Sequence, residues 1–269
     1  LQVEHPVTEM ITGQDLVEWQ FRVAAGERLP LEQSDLAIKG HAIEARLYAE
    51  DPARGDLPQA GRLVRLVMPA EGKDVRVESG VSEGDEIGVH YDPMIAKIVV
   101  WGENRLGAVS RLREALDSLR IGGVVTNRDL LAAIARHPAF AAGEVDTGFI
   151  PRHRAALVPA PSRAPDPALA LACLAVLLDR ADSRRDEARR AADRHSPWHR
   201  TDGWRLNGVG AQTIRLRDDM GELSVTARFQ GGGYVFDLTQ GPVRVAGGRT
   251  PAGEISADID GNQVTAFAV

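Results

Sequence analysis

The sequence is poor in lysine, cysteine and aromatic residues, and these shortages narrow the possible functions. Its 269 residues include three lysines and one cysteine, Cys173, so no disulfide can form within the chain. A net charge of −6 does not suggest nucleic-acid binding, and 43% apolar residues is typical of a globular protein. The longest apolar run, residues 168–178, is too short to span a bilayer. We therefore expect no nucleic-acid partner, no membrane partner and a cytoplasmic location.

A proline-rich stretch at residues 158–167 divides the chain into two parts. Four of its ten residues are prolines, and proline both fixes φ and disfavours a helix at the residue before it. The stretch is therefore predicted to be extended and exposed. We predict a mixed domain over residues 1–157, a linker over 158–167 and a second domain over 168–269, each domain having its own core.

Capping residues and apolar stripes predict three helices in the first part. Asp15 is expected to cap a helix that ends near residue 25. Asn104 is expected to cap a longer helix that ends near residue 119, with Leu106 on its apolar stripe. A further helix is predicted at residues 127–137, because Pro138 stops it.

The first part also contains strand patterns. Strands are predicted at residues 41–50, 61–68, 74–79 and 94–101. The first alternates strictly, so Glu44 and Arg46 should project from the same face. The last is almost continuously apolar and is interrupted by Lys97.

The second part begins with a long helix pattern, residues 168–194, whose first half is apolar on all sides. Such a helix must be enclosed by other elements, so Leu174 is expected to be buried. From Trp204 onward, period-2 alternation and glycine-rich turns predict about seven or eight short antiparallel strands. We predict an α+β chain in which the second domain is an antiparallel β-barrel around a long central helix.

Several motifs of the first part share the order and approximate spacing of one family. They lie at residues 2–13, 40–46, 49–52, 91–97 and 102–105. Over about residues 1–153 they resemble the C-terminal part of biotin carboxylase, an ATP-grasp enzyme. Residues 196–198 and 203–207 resemble the linking (BT) domain of α subunits of biotin-dependent acyl-CoA carboxylases, most of all 3-methylcrotonyl-CoA carboxylases. The barrel around a helix that this domain implies agrees with the pattern above.

The resemblance implies roles for four residues. In biotin carboxylase, ATP activates bicarbonate and biotin is then carboxylated. Glu4 matches the general base that removes the bicarbonate proton, and Gln2 and the Val3 backbone N–H match groups that hold bicarbonate. Arg46 matches the arginine that stabilises the enolate oxygen of biotin. A carboxylate suits proton removal, and a permanently charged guanidinium suits a developing anion.

Simpler alternatives exist for the two charged residues. Glu4 alone could be a solvated carboxylate at the end of a strand, and Arg46 alone could be a surface ion-pair residue. The surrounding motifs favour the catalytic interpretation for both, and no residue is assigned to a metal.

The resemblance also implies that the chain is a fragment of a larger α subunit. The ATP-binding lysines and metal ligands are expected upstream and a biotin-carrier domain downstream. ATP, magnesium or manganese, and biotin are therefore cofactors of the parent enzyme, none fully bound here. The expected partners are bicarbonate, the biotin-carrier domain and the carboxyltransferase β subunit, which selects the acyl-CoA. The alternative is a non-catalytic assembly module that docks the α subunit onto the β subunit.

Overall fold

The computed structural model describes residues 1–268, which form two compact units, Leu1–Ala160 and Pro161–Ala268. None of the helices in this range is both long and apolar enough to cross a membrane. The helices of the first unit are α1 (His5–Thr12), α2 (Leu16–Ala24), α3 (Arg105–Ser118), α4 (Arg128–Arg136), α5 (Pro138–Ala142) and α6 (Phe149–Leu157). Its strands are β1 (His41–Tyr48), β2 (Glu50–Asp51), β3 (Leu57–Pro58), β4 (Gly61–Arg62), β5 (Arg65–Val67), β6 (Val75–Ser79), β7 (Glu86–Ile87), β8 (Met94–Gly102) and β9 (Arg120–Gly122).

A three-stranded antiparallel sheet, in the order β1–β8–β6, forms the centre of the first unit. One face of the sheet is apolar and packs on α3, with Leu47, Ile98 and Leu116 fully buried between them. The opposite face carries Arg46 on β1 and charged residues of β6 and β8, and α1 packs against β1 and β8. The sheet thus separates an apolar core from a charged layer.

Two helices of the first unit begin where their capping residues predict. Asp15 accepts a hydrogen bond from the Glu18 N–H at 2.8 Å, and Asn104 accepts one from the Gly107 N–H at 3.0 Å. The prediction for Leu106 is wrong, because this side chain is 67% exposed. The buried face of α3 centres on Leu112, and at about 100° per residue Leu106 lies about 120° away from that centre.

The single strand predicted at residues 61–68 is two strands in the structure. β4 pairs with β7, and β5 pairs with β9. The change of partner falls between Leu63, whose N–H donates to the Asp85 carbonyl at 2.8 Å, and Val64, whose N–H donates to the Gly122 carbonyl at 2.9 Å. Because an apolar alternation does not encode which strand is the partner, the sequence could not reveal this break.

The second unit consists of one long helix and one meandering sheet. The helix is α7 (Asp166–Arg190), and the strands are β10 (Ala211–Asp218), β11 (Gly221–Gln230), β12 (Gly233–Leu238), β13 (Gly241–Arg249), β14 (Ile255–Ile259) and β15 (Asn262–Ala266). Each strand pairs antiparallel with the next. Fewer strands are present than predicted, and within residues 1–268 no pairing joins β10 to β15. The closed barrel is therefore not confirmed.

The apolar half of α7 is packed against the sheet. Leu174 and Cys173 are fully buried, and they share a core with Phe236 on β12 and Val245 on β13. Burial raises the pKa of the Cys173 thiol to about 11. The prediction that Leu174 is buried is confirmed. The second half of α7 is charged and mostly exposed, with short-range pairs such as Arg184–Glu187.

Candidate active site

The segment that carries Glu4 is a tight turn leading into α1. Pro6 lies in the first turn of α1, where its fixed φ suits a helix start. The Gln2 carbonyl accepts a hydrogen bond from the His5 N–H at 3.2 Å, and the Glu4 carbonyl accepts one from the Val7 N–H at 3.1 Å. These bonds join residues 2–4 to the start of the helix, and they fix the backbone position from which the Glu4 side chain projects.

The structure brings Glu4 and Arg46 into direct contact. Arg46 projects from β1 on the charged face of the sheet, and its Nη2 donates to Glu4 Oε2 at 2.6 Å, although 42 residues separate the two in the chain. The Glu4 side chain is 51% exposed and the Arg46 side chain 38%. The two side chains are therefore both accessible from solvent.

Gln2 and Val3 lie next to the Glu4–Arg46 ion pair, because they directly precede Glu4 in the chain. Gln2 and Val3 are exposed, and the Val3 carbonyl oxygen accepts a hydrogen bond from Lys97 Nζ on β8 at 3.2 Å. All four residues singled out by the sequence thus lie at one end of α1, beside β1 and β8. Their catalytic roles stay predictions, because geometry alone does not show bicarbonate or biotin binding.

A buried carboxylate, Glu44, lies beside Arg46. Its side chain is 4% exposed, and one oxygen is 3.5 Å from Arg46 Nε. Neither carboxylate oxygen accepts a hydrogen bond from another residue of the described range. Burial raises the pKa of the Glu44 carboxyl, and the positive charges of Lys97 and Arg46 partly offset this effect.

The charged layer continues across the sheet from Arg46. Lys97 pairs with the Glu78 carboxylate, which also pairs with Arg76, and Arg76 Nη1 donates to Glu9 Oε2 of α1 at 2.6 Å. Sequence reasoning did not assign these residues. The interruption of an apolar strand by Lys97 was the available signal, because a charge inside such a strand must find partners.

The second unit has a different kind of surface. Between α7 and β10, four large apolar side chains are exposed: Trp198, Trp204, Leu206 and Val209. A cleft of about 650 Å³ lies next to this segment and is lined by several arginines of α7 and of the segment itself. Clustered exposed apolar side chains are more typical of an interaction surface than of a catalytic centre.

Three segments of the chain match models of known protein families. Residues 44–152 match the biotin carboxylase C-terminal domain, and residues 165–269 match the methylcrotonyl-CoA carboxylase alpha-subunit BT domain. Residues 1–32 match the ATP-binding domain of the carbamoyl-phosphate synthase L chain. The Glu4–Arg46 contact therefore joins a residue from the ATP-binding match to one from the C-terminal match.

Solved structures support the fold of the first unit. The biotin carboxylase domain of Hydrogenobacter thermophilus 2-oxoglutarate carboxylase, solved with MgADP and bicarbonate, is 42% identical with a TM-score of 0.57, over 61% of this chain and 35% of that one. The biotin carboxylase subunit of a pyruvate carboxylase is 41% identical with a TM-score of 0.57, over 58% of this chain and 35% of that one. The first unit is therefore similar in sequence and fold to the biotin carboxylase parts of these carboxylases.

The relatives that match most of this chain are α subunits of one carboxylase. Mitochondrial methylcrotonoyl-CoA carboxylase subunit alpha is 46% identical in Dictyostelium discoideum over 87% of this chain, and 43% identical in Mus musculus over 92%. These matches cover 33% and 35% of the two relatives, so the chain spans about one third of their length. The second unit is similar to the BT domain of the methylcrotonyl-CoA carboxylase alpha subunit.

Proposed function

We propose that the chain is part of the α subunit of a biotin-dependent acyl-CoA carboxylase, most like methylcrotonyl-CoA carboxylase, which uses ATP and bicarbonate to carboxylate biotin. The observation that carries this proposal is the contact between Glu4 and Arg46. Each belongs to a different family match, and folding places their charged groups together at an accessible site. Similarity over most of the chain to α subunits of this class supports the proposal.

Glu4 is the general base in this proposal. Its carboxylate takes the proton from bicarbonate, while Gln2 and the Val3 N–H hold the anion in front of it. Arg46 stabilises negative charge on the ureido oxygen of biotin, because a guanidinium is a cation with several N–H donors in one plane. The 2.6 Å contact keeps base and guanidinium adjacent, so that the two steps share one site.

The guanidinium of Arg46 fits a biotin ureido oxygen, since the side chain is 38% exposed and its planar donors suit a carbonyl acceptor. Biotin, when bound, supplies the nitrogen that receives the carboxyl group. Magnesium is a different case, because residues 1–268 contain no cluster of three or more His, Cys, Asp or Glu side chains that could hold an ion. We therefore assign no metal ligand to these residues.

The proposal is tested with the complete subunit that carries this chain. ADP release is measured with and without bicarbonate, in the presence of free biotin. Bicarbonate-dependent ADP release that rises with biotin supports the proposal. A subunit that is folded by circular dichroism and releases no ADP in response to bicarbonate would contradict it.

A second function, assembly, is favoured by the exposed apolar segment of the second unit. We propose that this segment, defined by Trp198, Trp204, Leu206 and Val209, docks on a carboxyltransferase β subunit. Four large apolar side chains within twelve residues would bury substantial apolar area on a partner. This role and the catalytic role are compatible, because they concern different units.

Co-purification with the β subunit tests the docking role. Replacing Trp198 and Leu206 by alanine should abolish co-purification. The control change Leu106→Ala, at a residue of the first unit that is 67% exposed, should not. Retention of the β subunit by the double variant would contradict the proposal.

We further propose that the six-stranded sheet curls around α7 as a barrel. Core residues from β10, β11, β12, β13 and β14 all pack with α7 residues in one cluster, which suits a sheet that wraps the helix.

The cytoplasmic location predicted from the sequence stays a prediction. The relatives named above are mitochondrial proteins, so cell fractionation of the source organism is the deciding measurement.

A further inference from the structure

Lys97 is a buried lysine in the middle of β8. It is 9% exposed, and its neighbours Ala96 and Ile98 are buried. Removing an ammonium group from water is costly unless partners replace the lost hydration. Here Nζ donates to the Val3 carbonyl oxygen at 3.2 Å and pairs with the Glu78 carboxylate. The ammonium is therefore bound to the backbone immediately before Glu4.

Lys97 lies between Arg46 and Glu78 in one row across the central sheet. The strand register places Arg46 opposite Lys97, and Lys97 opposite Glu78. Directly opposed residues of antiparallel strands project from the same face. Arg46 contacts the Glu4 side chain, and Lys97 contacts the Val3 carbonyl. Two consecutive residues of the turn are thus held by two adjacent residues of one row.

Glu78 keeps this row charged. Burial alone would raise the pKa of the Glu78 carboxyl, but the hydrogen bond from Lys97 and the charge of Arg76 outweigh burial and hold the pKa below its ordinary value. Glu78 therefore remains a carboxylate around neutral pH. Its negative charge compensates the ammonium of Lys97 and fixes the direction in which Nζ points.

A separate anchor holds the middle of α1. Glu9 is buried, accepts from Arg76 Nη1 at 2.6 Å and also accepts from the Leu16 N–H at 2.8 Å. Loss of Lys97 would therefore leave α1 attached to the sheet. It would release only the turn before the helix, where Val3 and Glu4 lie.

We propose that Lys97 is a positioning residue for the Val3–Glu4 turn, an inference that rests on the function proposed above. By holding the Val3 carbonyl, it fixes the peptide that links Val3 to Glu4 and thus the direction of the Glu4 carboxylate toward bicarbonate. Lys97 itself touches no substrate in this proposal.

The test uses Lys97→Met, which keeps an unbranched side chain of similar size and removes the buried charge. The control is Arg111→Met, which breaks the Arg111–Asp74 pair (3.2 Å) on α3 of the same unit. In the complete subunit, Lys97→Met should lower kcat/KM for bicarbonate about 10- to 100-fold, the range for a misplaced reacting group, while the KM for ATP changes less than about twofold. The control should leave both parameters within about twofold of the unsubstituted enzyme.

A second measurement does not depend on activity. Hydrogen exchange of residues 4–8 in this chain should become about fivefold faster in Lys97→Met, the change expected from the loss of one ordinary hydrogen bond, and exchange in α3 should not change. An unchanged kcat/KM for bicarbonate, or equal losses for bicarbonate and ATP, would overturn the positioning role. If the unsubstituted subunit lacks bicarbonate-dependent ADP release, the proposed function fails. The Lys97 inference is tested separately by exchange: an unchanged exchange rate of residues 4–8 in Lys97→Met would overturn it.

Discussion

Truncating Leu174 is the sharpest test of how the second unit is held together. The side chain is fully buried in the apolar half of α7, and its core neighbours include Phe236 and Val245 from facing strands. Leu174→Ala removes three carbons, which at ~0.8 kcal/mol per buried methylene accounts for about 2.4 kcal/mol. The cavity that remains adds to this loss, so the expected cost in the free energy of unfolding is ~2–5 kcal/mol.

The assay is urea unfolding of the whole chain, read by deuterium labelling of peptides from each unit. Peptides from α7 should show the lower midpoint, while peptides from α3 should keep theirs, because each unit has its own core. The matched control is Leu206→Ala, the same truncation at a side chain that is 77% exposed, and it should change stability by less than about 0.5 kcal/mol.

Leu174→Asp extends the test. An unpaired carboxylate in this core has no hydrogen-bonding partner, so the second unit should fail to fold while the first unit keeps its exchange protection. A near-zero loss for Leu174→Ala would refute the packing of α7 against the sheet, and the proposed barrel around it would be wrong as well.

Two further predictions concern the first unit. Burial raises the pKa of the Glu44 carboxyl, and two neighbouring cations only partly offset this effect. The folded state therefore binds the Glu44 proton more tightly than the unfolded state does. The free energy of unfolding should consequently decline as pH rises through and above the ordinary carboxyl range. Glu44→Gln should remove this decline, so that urea titrations at increasing pH favour the variant progressively; a pH-independent difference would contradict this. Gly123→Ala should cost more than about 1 kcal/mol in the same titration, because φ is +104° and a Cβ would lie 2.0 Å from a backbone oxygen of β4. Gly72→Ala is its control, since nothing lies within 4 Å of that Cβ, and equal effects of the two changes would contradict the steric argument.

Local signals in the sequence predicted much of the first unit. Asp15 and Asn104 have side chains that satisfy the free N–H groups of a helix start, and both cap helices as expected. Strand β1 of the central sheet followed from its alternation. These features depend on neighbours within a few residues, so the chain encodes them directly.

Features that depend on distant partners could not be predicted in the same way. The split between β4 and β5 follows from a change of partner strand. A pairing of β10 with β15, which would close the second sheet, cannot be recognised in a periodic pattern. At the site, motifs indicated Glu4 and Arg46 as candidates, whereas the link from Lys97 to Val3 needs a contact across 94 residues. Strand register, which only the fold reveals, places Lys97 beside Arg46.

The central claim is that Glu4 and Arg46 act as base and oxyanion stabiliser at one site. Its most direct measurement compares biotin carboxylation with bicarbonate-dependent ADP release in the complete subunit, for Glu4→Gln, Arg46→Ala and the control Arg152→Ala, which breaks an exposed ion pair of the same unit. Arg46→Ala should abolish carboxylation and spare much of the ADP release. Glu4→Gln should lower both about 10²- to 10⁴-fold, because no proton is removed from bicarbonate. The control should resemble the unsubstituted enzyme, and small, equal effects of Glu4→Gln and Arg46→Ala on both activities would contradict the claim.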